Sequence, residues 1–245
     1  MDFALASSVA RRLVDPVLAV VFPSECPACG RLLVQVGRGP LCEPCWQALP
    51  RHRALVCGCG LPLAAGLSAC PRCRRGHQVF AAGCSLGPYE GPLRVVIHEL
   101  KFSGRRRAAG RLAAALLEDA AVRRLVATSD VLVPVPLHPR RVRERGFNQA
   151  ALVAQELARR ADRACCPDAL VRRLDTVPQA GLSAAARRRN VRAAFAVRRK
   201  ASVAGRTVTL VDDVVTTGAT ALACGRELVA AGAREVRLLA VARVV

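Results

Sequence analysis

The segment Thr209-Leu210-Val211-Asp212-Asp213-Val214-Val215-Thr216-Thr217-Gly218-Ala219-Thr220 constrains this chain more than any other. An apolar run leads into two adjacent acids, then into two threonines and a glycine, and a helical pattern follows. That order reads as a buried strand feeding a helix through a short polar turn, a unit that belongs in a parallel α/β sheet. The carboxyl ends of such strands are where open α/β sheets bind ligands. Thr216, Thr217 and Thr220 offer hydroxyls there, and Gly218 lets the backbone approach closely. The helix N-terminus, at Ala219 and Thr220, directs amide hydrogens and partial positive charge to the same place. A monophosphate fits this cradle, and the carboxylates of Asp212 and Asp213 suit ribose hydroxyls and a hydrated Mg²⁺ beside it. A plain capped helix is the alternative, but a cap needs only one acid or hydroxyl.

From about residue 80 the same alternation recurs. Val131 to Pro136 reads as a buried strand ending in prolines, and residues 147–161 as a helix with Ala150, Ala154, Leu157, Ala158 and Ala161 on one face. Thr207 to Val211 reads as a strand, Ala219 to Ala231 as a helix stopped by Gly232, and Val236 to Val241 as another strand. The expected domain over 79–245 is therefore a mainly parallel, right-handed α/β sheet. The chain's 245 residues leave room for one small module before it.

That module is expected over 1–78, where eight of the twelve cysteines stand in short-spaced pairs. Cys26-x-x-Cys29 and Cys42-x-x-Cys45 can each turn a knuckle and converge on one tetrahedral zinc. A disulfide framework would need an oxidising compartment, and nothing in the sequence suggests secretion. The second group, Cys57-Gly-Cys59 and Cys70-x-x-Cys73, has one shortened pair. Cys59, Cys70 and Cys73 are its firmer candidate ligands, with Cys57 as the fourth; the alternatives are that Cys57 points away and His52 or His77 serves instead, or that the second site is incomplete. A module with few periodic runs takes its folding energy from the metal. Cys84, Cys165, Cys166 and Cys224 have no ligand spacing and read as small hydrophobes.

Charge bears on partners. Lys+Arg number 38 against 18 Asp+Glu, a formal net charge of +20, so anionic ligands are favoured. Lys101 and Lys200 are the only lysines, and so Arg-rich a chain also reflects compositional bias. Arg140, Arg141 and Arg145 follow the prolines of the second strand, a density of guanidinium groups suited to bidentate phosphate contacts; a solvated basic turn is the alternative. Lys101 offers a point charge to a phosphate, or stands exposed at a helix end. Residues Gln179 to Phe195 suggest a mobile flap, and His98 and His138 read as structural or exposed. Leu13 to Phe22 is too short for a membrane span and reads as a docking helix, with no membrane span expected and a cytoplasmic location.

The segment 209–220 resembles the phosphoribosyl pyrophosphate (PRPP) motif of type I phosphoribosyltransferases. The wider chain resembles the ComF family, through the Cys-x-x-Cys-rich start, Glu99-Leu-Lys101-Phe-Ser-Gly104, Pro134-Val-Pro136, Arg145-Gly-Phe-Asn148-Gln149 and Gln179-Ala-Gly-Leu-Ser183 with Arg187, Asn190, Val191 and Phe195. Members named ComFC take part in natural DNA uptake, and GntX-like relatives share the architecture. The resemblance implies a type I phosphoribosyltransferase fold, a Rossmann-like parallel sheet preceded by a zinc module. It implies that Asp212 and Asp213 contact the ribose 2′ and 3′ hydroxyls, that Thr216 to Thr220 hold the 5′-phosphate, and that Pro136 to Arg141 form a pyrophosphate loop. The implied cofactors are structural Zn²⁺ and, with PRPP, Mg²⁺; competence proteins are implied partners.

Two functions follow as expectations. One is a glycosyltransferase that moves phosphoribosyl from PRPP to an acceptor, with the leaving pyrophosphate stabilised electrostatically. The other is a module without turnover that responds to PRPP or binds single-stranded DNA through phosphates. Aromatic residues make up 3% of the chain, too few for extended base stacking.

Overall fold

The computed structural model describes residues 24–33, 39–52, 57, 63, 67, 69–74, 79–174 and 194–244. In chain order the elements are α1 (Glu43–Gln47), α2 (Pro71–Arg74), β1 (Ala82–Pro88), α3 (Gly91–Phe102), α4 (Ala108–Leu117), α5 (Ala120–Ala127), β2 (Val131–Pro134), α6 (Pro139–Arg145) and α7 (Gln149–Ala161). They continue with β3 (Ala164–Cys165), β4 (Leu170–Arg172), β5 (Phe195–Val197), a 3₁₀ turn (Lys200–Ser202), β6 (Thr207–Val215), α8 (Ala219–Ala230) and β7 (Glu235–Arg243). The docking-helix segment Leu13 to Phe22 lies outside the described residues.

Strands β1, β7, β6, β2 and β3 pair in that order, and every neighbouring pair is parallel. The apolar runs read from the sequence become its central strands because both faces are covered, which continuous Val/Leu runs require. On one face, Leu93, Val96, Ile97 and Leu100 of α3 pack in one buried cluster with Leu112 and Leu116 of α4 and Val153 and Leu157 of α7. On the other, Ala221, Cys224 and Leu228 of α8 pack with Phe80, Leu170 and Phe195 around Val208 and Leu210. The short antiparallel pair β4–β5 closes that second face.

β6 and β7 run two to four residues longer than their apolar runs foretell, reaching Val215 and Arg243. Asp has low strand propensity, yet here the ladder to β7 continues through Asp212 and Val214 to Val215. Backbone pairing with a long neighbour overrides side-chain preference, and it carries both acids on a strand end instead of in a loop.

Cys26, Leu33, Leu41, Trp46 and Leu49 belong to the same buried cluster as α3 and α4. Arg111 of α4 lies over the Trp46 ring, 4.3 Å from its centroid, and bonds Glu43 at 2.8 Å. The N-terminal segment also seats on β1, where His52 N donates to Leu86 O.

Candidate functional site

β6 delivers the two acids to the carboxyl end of the sheet beside β2 and β7. Asp212 is 9% exposed, and its Oδ1 accepts from Asp213 N at 2.9 Å. Burial first, then the neighbouring Asp213 charge, push its carboxyl up to about 8; the Asp213 amide and Lys101 pull the other way. The buried thiol of Cys224 is itself raised, by burial and then by Asp212. Asp213 Oδ1 accepts from Val214 N at 2.6 Å, and its Oδ2 lies 3.0 Å from Lys101 Nζ. The acidic pair therefore does not act as two equal exposed carboxylates: one is buried and inclined to hold a proton, and the other is ion-paired.

Past Val215 the chain turns at Thr216 to Gly218 into α8. Gly218 is the N-cap with φ +72°, a left-handed conformation that a side chain would strain. Thr216 and Thr217 are exposed, while Gly218, Ala219 and Thr220 are half-buried. Thr217 Oγ1 accepts from Ala219 N at 3.4 Å. The first-turn amides of a helix lack intrahelical partners, so this turn presents donors and hydroxyls to an anion beside two carboxylates.

Lys101 stands in the last turn of α3, and its side chain is 18% exposed. It is no free lysine at a helix end: it reaches the acidic pair from an element distant in sequence. Arg145 packs against the neighbouring residue of the same helix. Its guanidinium lies 5.0 Å from the centroid of Phe102, next to Lys101, and its Nη1 donates to Gln149 Oε1 at 3.3 Å. Arg140 and Arg141 stand on a helix of their own. The expected loop from Pro136 to Arg141 is helical from Pro139 onward, with proline at the first turn and the His138 ring accepting from Arg140 N. Arg140 and Arg141 are exposed on this helix, and Arg140 bonds Glu144 at 2.9 Å. His138 thus caps a helix, and His98 is exposed against the Phe102 ring.

Asn148 had no role assigned from sequence. Its Oδ1 accepts from Ala150 N at the start of α7, and its Nδ2 donates to Val135 O at 2.9 Å. It ties the helix to the end of β2, and Val135 N in turn donates to Val211 O on β6. The signal was available, since Asn before a periodic apolar run marks an N-cap. Residues 179–193 of the supposed flap lie outside the described residues; Phe195 is a buried residue of β5.

The cysteines form two groups. The sulfurs of Cys26, Cys29, Cys42 and Cys45 all lie within 4.8 Å of one another, and those of Cys57, Cys70 and Cys73 do likewise. Four thiols so close match the sulfur spacing of about 3.8 Å around a tetrahedral zinc with Zn–S near 2.3 Å. Cys29 Sγ and Cys42 Sγ stand 3.6 Å apart. Burial alone would raise Cys26, but amide donors from Cys42 and Ala28 and the neighbouring thiols lower it to about 7, favouring thiolate. Cys42 N donates to Cys26 Sγ, and Cys70 N to Cys57 Sγ in the same way. Cys57 therefore does not turn away; it is buried and faces Cys70 and Cys73. His52 is not in that group: it is packed near Arg243, and burial and that cation lower its pKa. Cys59 and His77 lie outside the described residues.

Comparison with known proteins agrees with this architecture. The model of the double zinc ribbon domain matches residues 17–74, and that of the phosphoribosyl transferase domain matches residues 144–244. The DNA utilization protein YhgH of Escherichia coli K12 is 35% identical over 90% of this chain and 97% of its own length. That of Salmonella typhimurium is 34% identical over the same shares. Competence protein F of Haemophilus influenzae is 31% identical over 86% of this chain and 93% of its own. Among solved structures, a partial likeness is to the allosteric regulatory enzyme of purine biosynthesis, with 23% identity, 55% of this chain, 25% of that one and a TM-score of 0.35. No helix among the described residues is long and apolar enough to cross a membrane.

Proposed function

This chain belongs to the ComF family, and on that premise we propose that it binds PRPP with Mg²⁺ at the β6–α8 turn and transfers phosphoribosyl to an acceptor. One observation carries the reading: a left-handed Gly218 opens α8 directly after a strand that ends in Asp212 and Asp213. In this reading Thr216, Thr217, Gly218, Ala219 and Thr220 hold the 5′-phosphate with hydroxyls and first-turn amides. Asp212 and Asp213 accept from the ribose hydroxyls. Lys101 and Arg145 meet the pyrophosphate; Arg140 and Arg141 add positive field from the exposed face of α6.

The acidic pair supplies hard oxygen donors of the kind Mg²⁺ takes through its waters. Bound with PRPP, the metal would neutralise charge on the pyrophosphate as the bond from the anomeric carbon to the leaving oxygen breaks. The chain's own part is to fix the ribose, to withhold the carboxylates from bulk water, and to place cations where pyrophosphate charge grows. The two cysteine groups hold structural zinc, the second with Cys57, Cys59, Cys70 and Cys73 as its ligands. In this proposal the zinc module spans 1–78 and the phosphoribosyltransferase-like domain 79–245, in a cytoplasmic protein.

The names of the relatives, DNA utilization and competence proteins, extend the proposal to a role in DNA uptake. The exposed Arg140, Arg141 and Arg143 on α6 favour contact with phosphates of single-stranded DNA as a second reading. Calorimetric titration of zinc-loaded protein with PRPP and Mg²⁺ tests the first. Saturable binding is expected, lost in an Asp212→Asn, Asp213→Asn double variant that melts cooperatively. No binding by the native chain refutes it. DNA affinity falling steeply with salt would support the second reading, and salt-insensitive binding would sink it.

A further inference from the structure

We propose that Lys101 is a positioning residue that holds Asp213 closed to a divalent cation until a phosphate ligand takes over its ammonium group. The proposal rests on the reading of the β6–α8 turn as a PRPP site and adds the order in which that site fills.

Three observations carry it. Both oxygens of Asp213 are engaged: Oδ1 accepts from Val214 N, and Oδ2 lies 3.0 Å from Lys101 Nζ. The ion pair is not a surface contact, since the two side chains are 18% and 16% exposed, well below the exposure at which solvent screening makes such pairs weak. Among the described residues, Lys101 is the cation that pairs with Asp213, and two other basic side chains have partners of their own. Arg105 faces Glu99 at 3.4 Å, and Arg145 is held by Phe102 and Gln149.

The residue type matters. The chain uses Arg almost everywhere and keeps lysine at two positions. A guanidinium would fork across a carboxylate and stay there, whereas an ammonium is a compact point charge on a flexible stem that can exchange one oxyanion for another. Asp213 carries one negative charge and a diphosphate several, so a ligand phosphate competes well for Lys101. A hydrated divalent cation arriving alone brings no such exchange partner. It would have to sit against an ammonium on the same carboxylate, with the second carboxylate buried behind it. The metal therefore enters with the phosphate ligand, and the acidic pair does not collect free cations.

The test needs no turnover and no PRPP. Zinc-loaded full-length protein, its Lys101→Met variant and a Lys101→Met, Asp213→Asn double variant are titrated with Mn²⁺ alone, following free Mn²⁺ by electron paramagnetic resonance. The native chain is expected to show no Mn²⁺ site at the acidic pair. Lys101→Met should gain one at least about tenfold tighter than any native binding, and the double variant should lose it. Identical Mn²⁺ isotherms for native protein and Lys101→Met overturn the proposal, as does a gained site that survives Asp213→Asn. Lys101→Gln, which keeps a polar end, is run in parallel, and melting curves identify any variant that does not fold. A failed PRPP titration would refute the ligand assignment separately, because the metal-only experiment contains no PRPP.

Discussion

Replacing Asp212 by Asn should stabilise the ligand-free protein at alkaline pH while abolishing PRPP binding. The amide keeps the contact that matters for packing, since its oxygen can still accept from Asp213 N. What it removes is the cost of a charge at a 9% exposed position beside a second carboxylate. A carboxyl whose folded pKa stands at about 8, against an ordinary 3.8, binds its proton more tightly in the folded state. The wild-type stability contributed by that proton is complete below the ordinary value and is lost as pH rises toward about 8. Between pH 6 and pH 8 the loss starts at about 1.4 kcal/mol per unit and falls to half that slope near pH 8, roughly 2–3 kcal/mol in all. For a chain of this size each kcal/mol corresponds to about 2–4 °C in Tm. The Tm advantage of Asp212→Asn should therefore widen by roughly 5–10 °C from pH 6 to pH 8 and then level off. Differential scanning fluorimetry of both proteins in one buffer series measures it, and taking the difference cancels effects of pH on the cysteines. A gap that stays constant across this range would refute the argument that Asp212 is a buried, proton-holding group.

Other perturbations reach different parts of the chain. Gly218→Ala forces a side chain into a left-handed N-cap, so a loss of about 1–2 kcal/mol in melting stability is expected together with weaker PRPP binding; unchanged calorimetric affinity would place the phosphate elsewhere. Gly87→Ala would set a Cβ 1.9 Å from the Pro50 carbonyl oxygen, so the N-terminal segment must shift off β1. The expected cost is about 1–3 kcal/mol, with faster proteolysis near residue 50; native protection there would contradict the seam. Cys70→Ser should lower zinc content from about two to about one per chain by metal analysis, and an unchanged content would exclude Cys70 as a ligand.

How far the sequence reaches depends on the range of the forces involved. The β6–α8 turn was legible because everything that makes it is local: an apolar run, a hydroxyl-rich turn and a glycine whose φ of +72° the sequence position anticipates. The first cysteine group was legible for the same reason, since knuckle spacing is a covalent constraint. The second was left open at Cys57, because the one-residue spacing to Cys59 does not by itself say which way that thiol faces. In the fold Cys57 accepts from the amide of Cys70, a contact set by the other half of the pair. Helix α6 was read as a loop although Pro139 sits where proline starts helices; arginine density drew the reading toward phosphate chemistry ahead of backbone signals. The Lys101–Asp213 pair could not be read at all. It joins the end of one helix to the end of a central strand, and only the packing of α3 on the sheet creates it.

That packing also joins the metal module to the site. Trp46, Leu41 and Leu49 share one buried cluster with Leu93, Ile97 and Leu100 of α3, the helix whose last turn carries Lys101. Arg111 is gripped from the module by Glu43 and stacks on Trp46, and Arg51 pairs with Glu118 just beyond α4. A face of α3 and α4 that would otherwise lie open is thus covered by a segment held together by thiolates and metal. The binding energy of zinc is folding energy for such a segment, so it stabilises the helix that positions the lysine as well as the ribbon itself. Chelation should therefore loosen Lys101 from Asp213 before it unfolds the sheet. Hydrogen exchange after zinc removal checks this: amides of α3 should lose protection while those of β6 and β7 keep theirs. Equal loss in both would mean that the module and the sheet unfold as one unit, and unchanged α3 would mean that the module does not support the site.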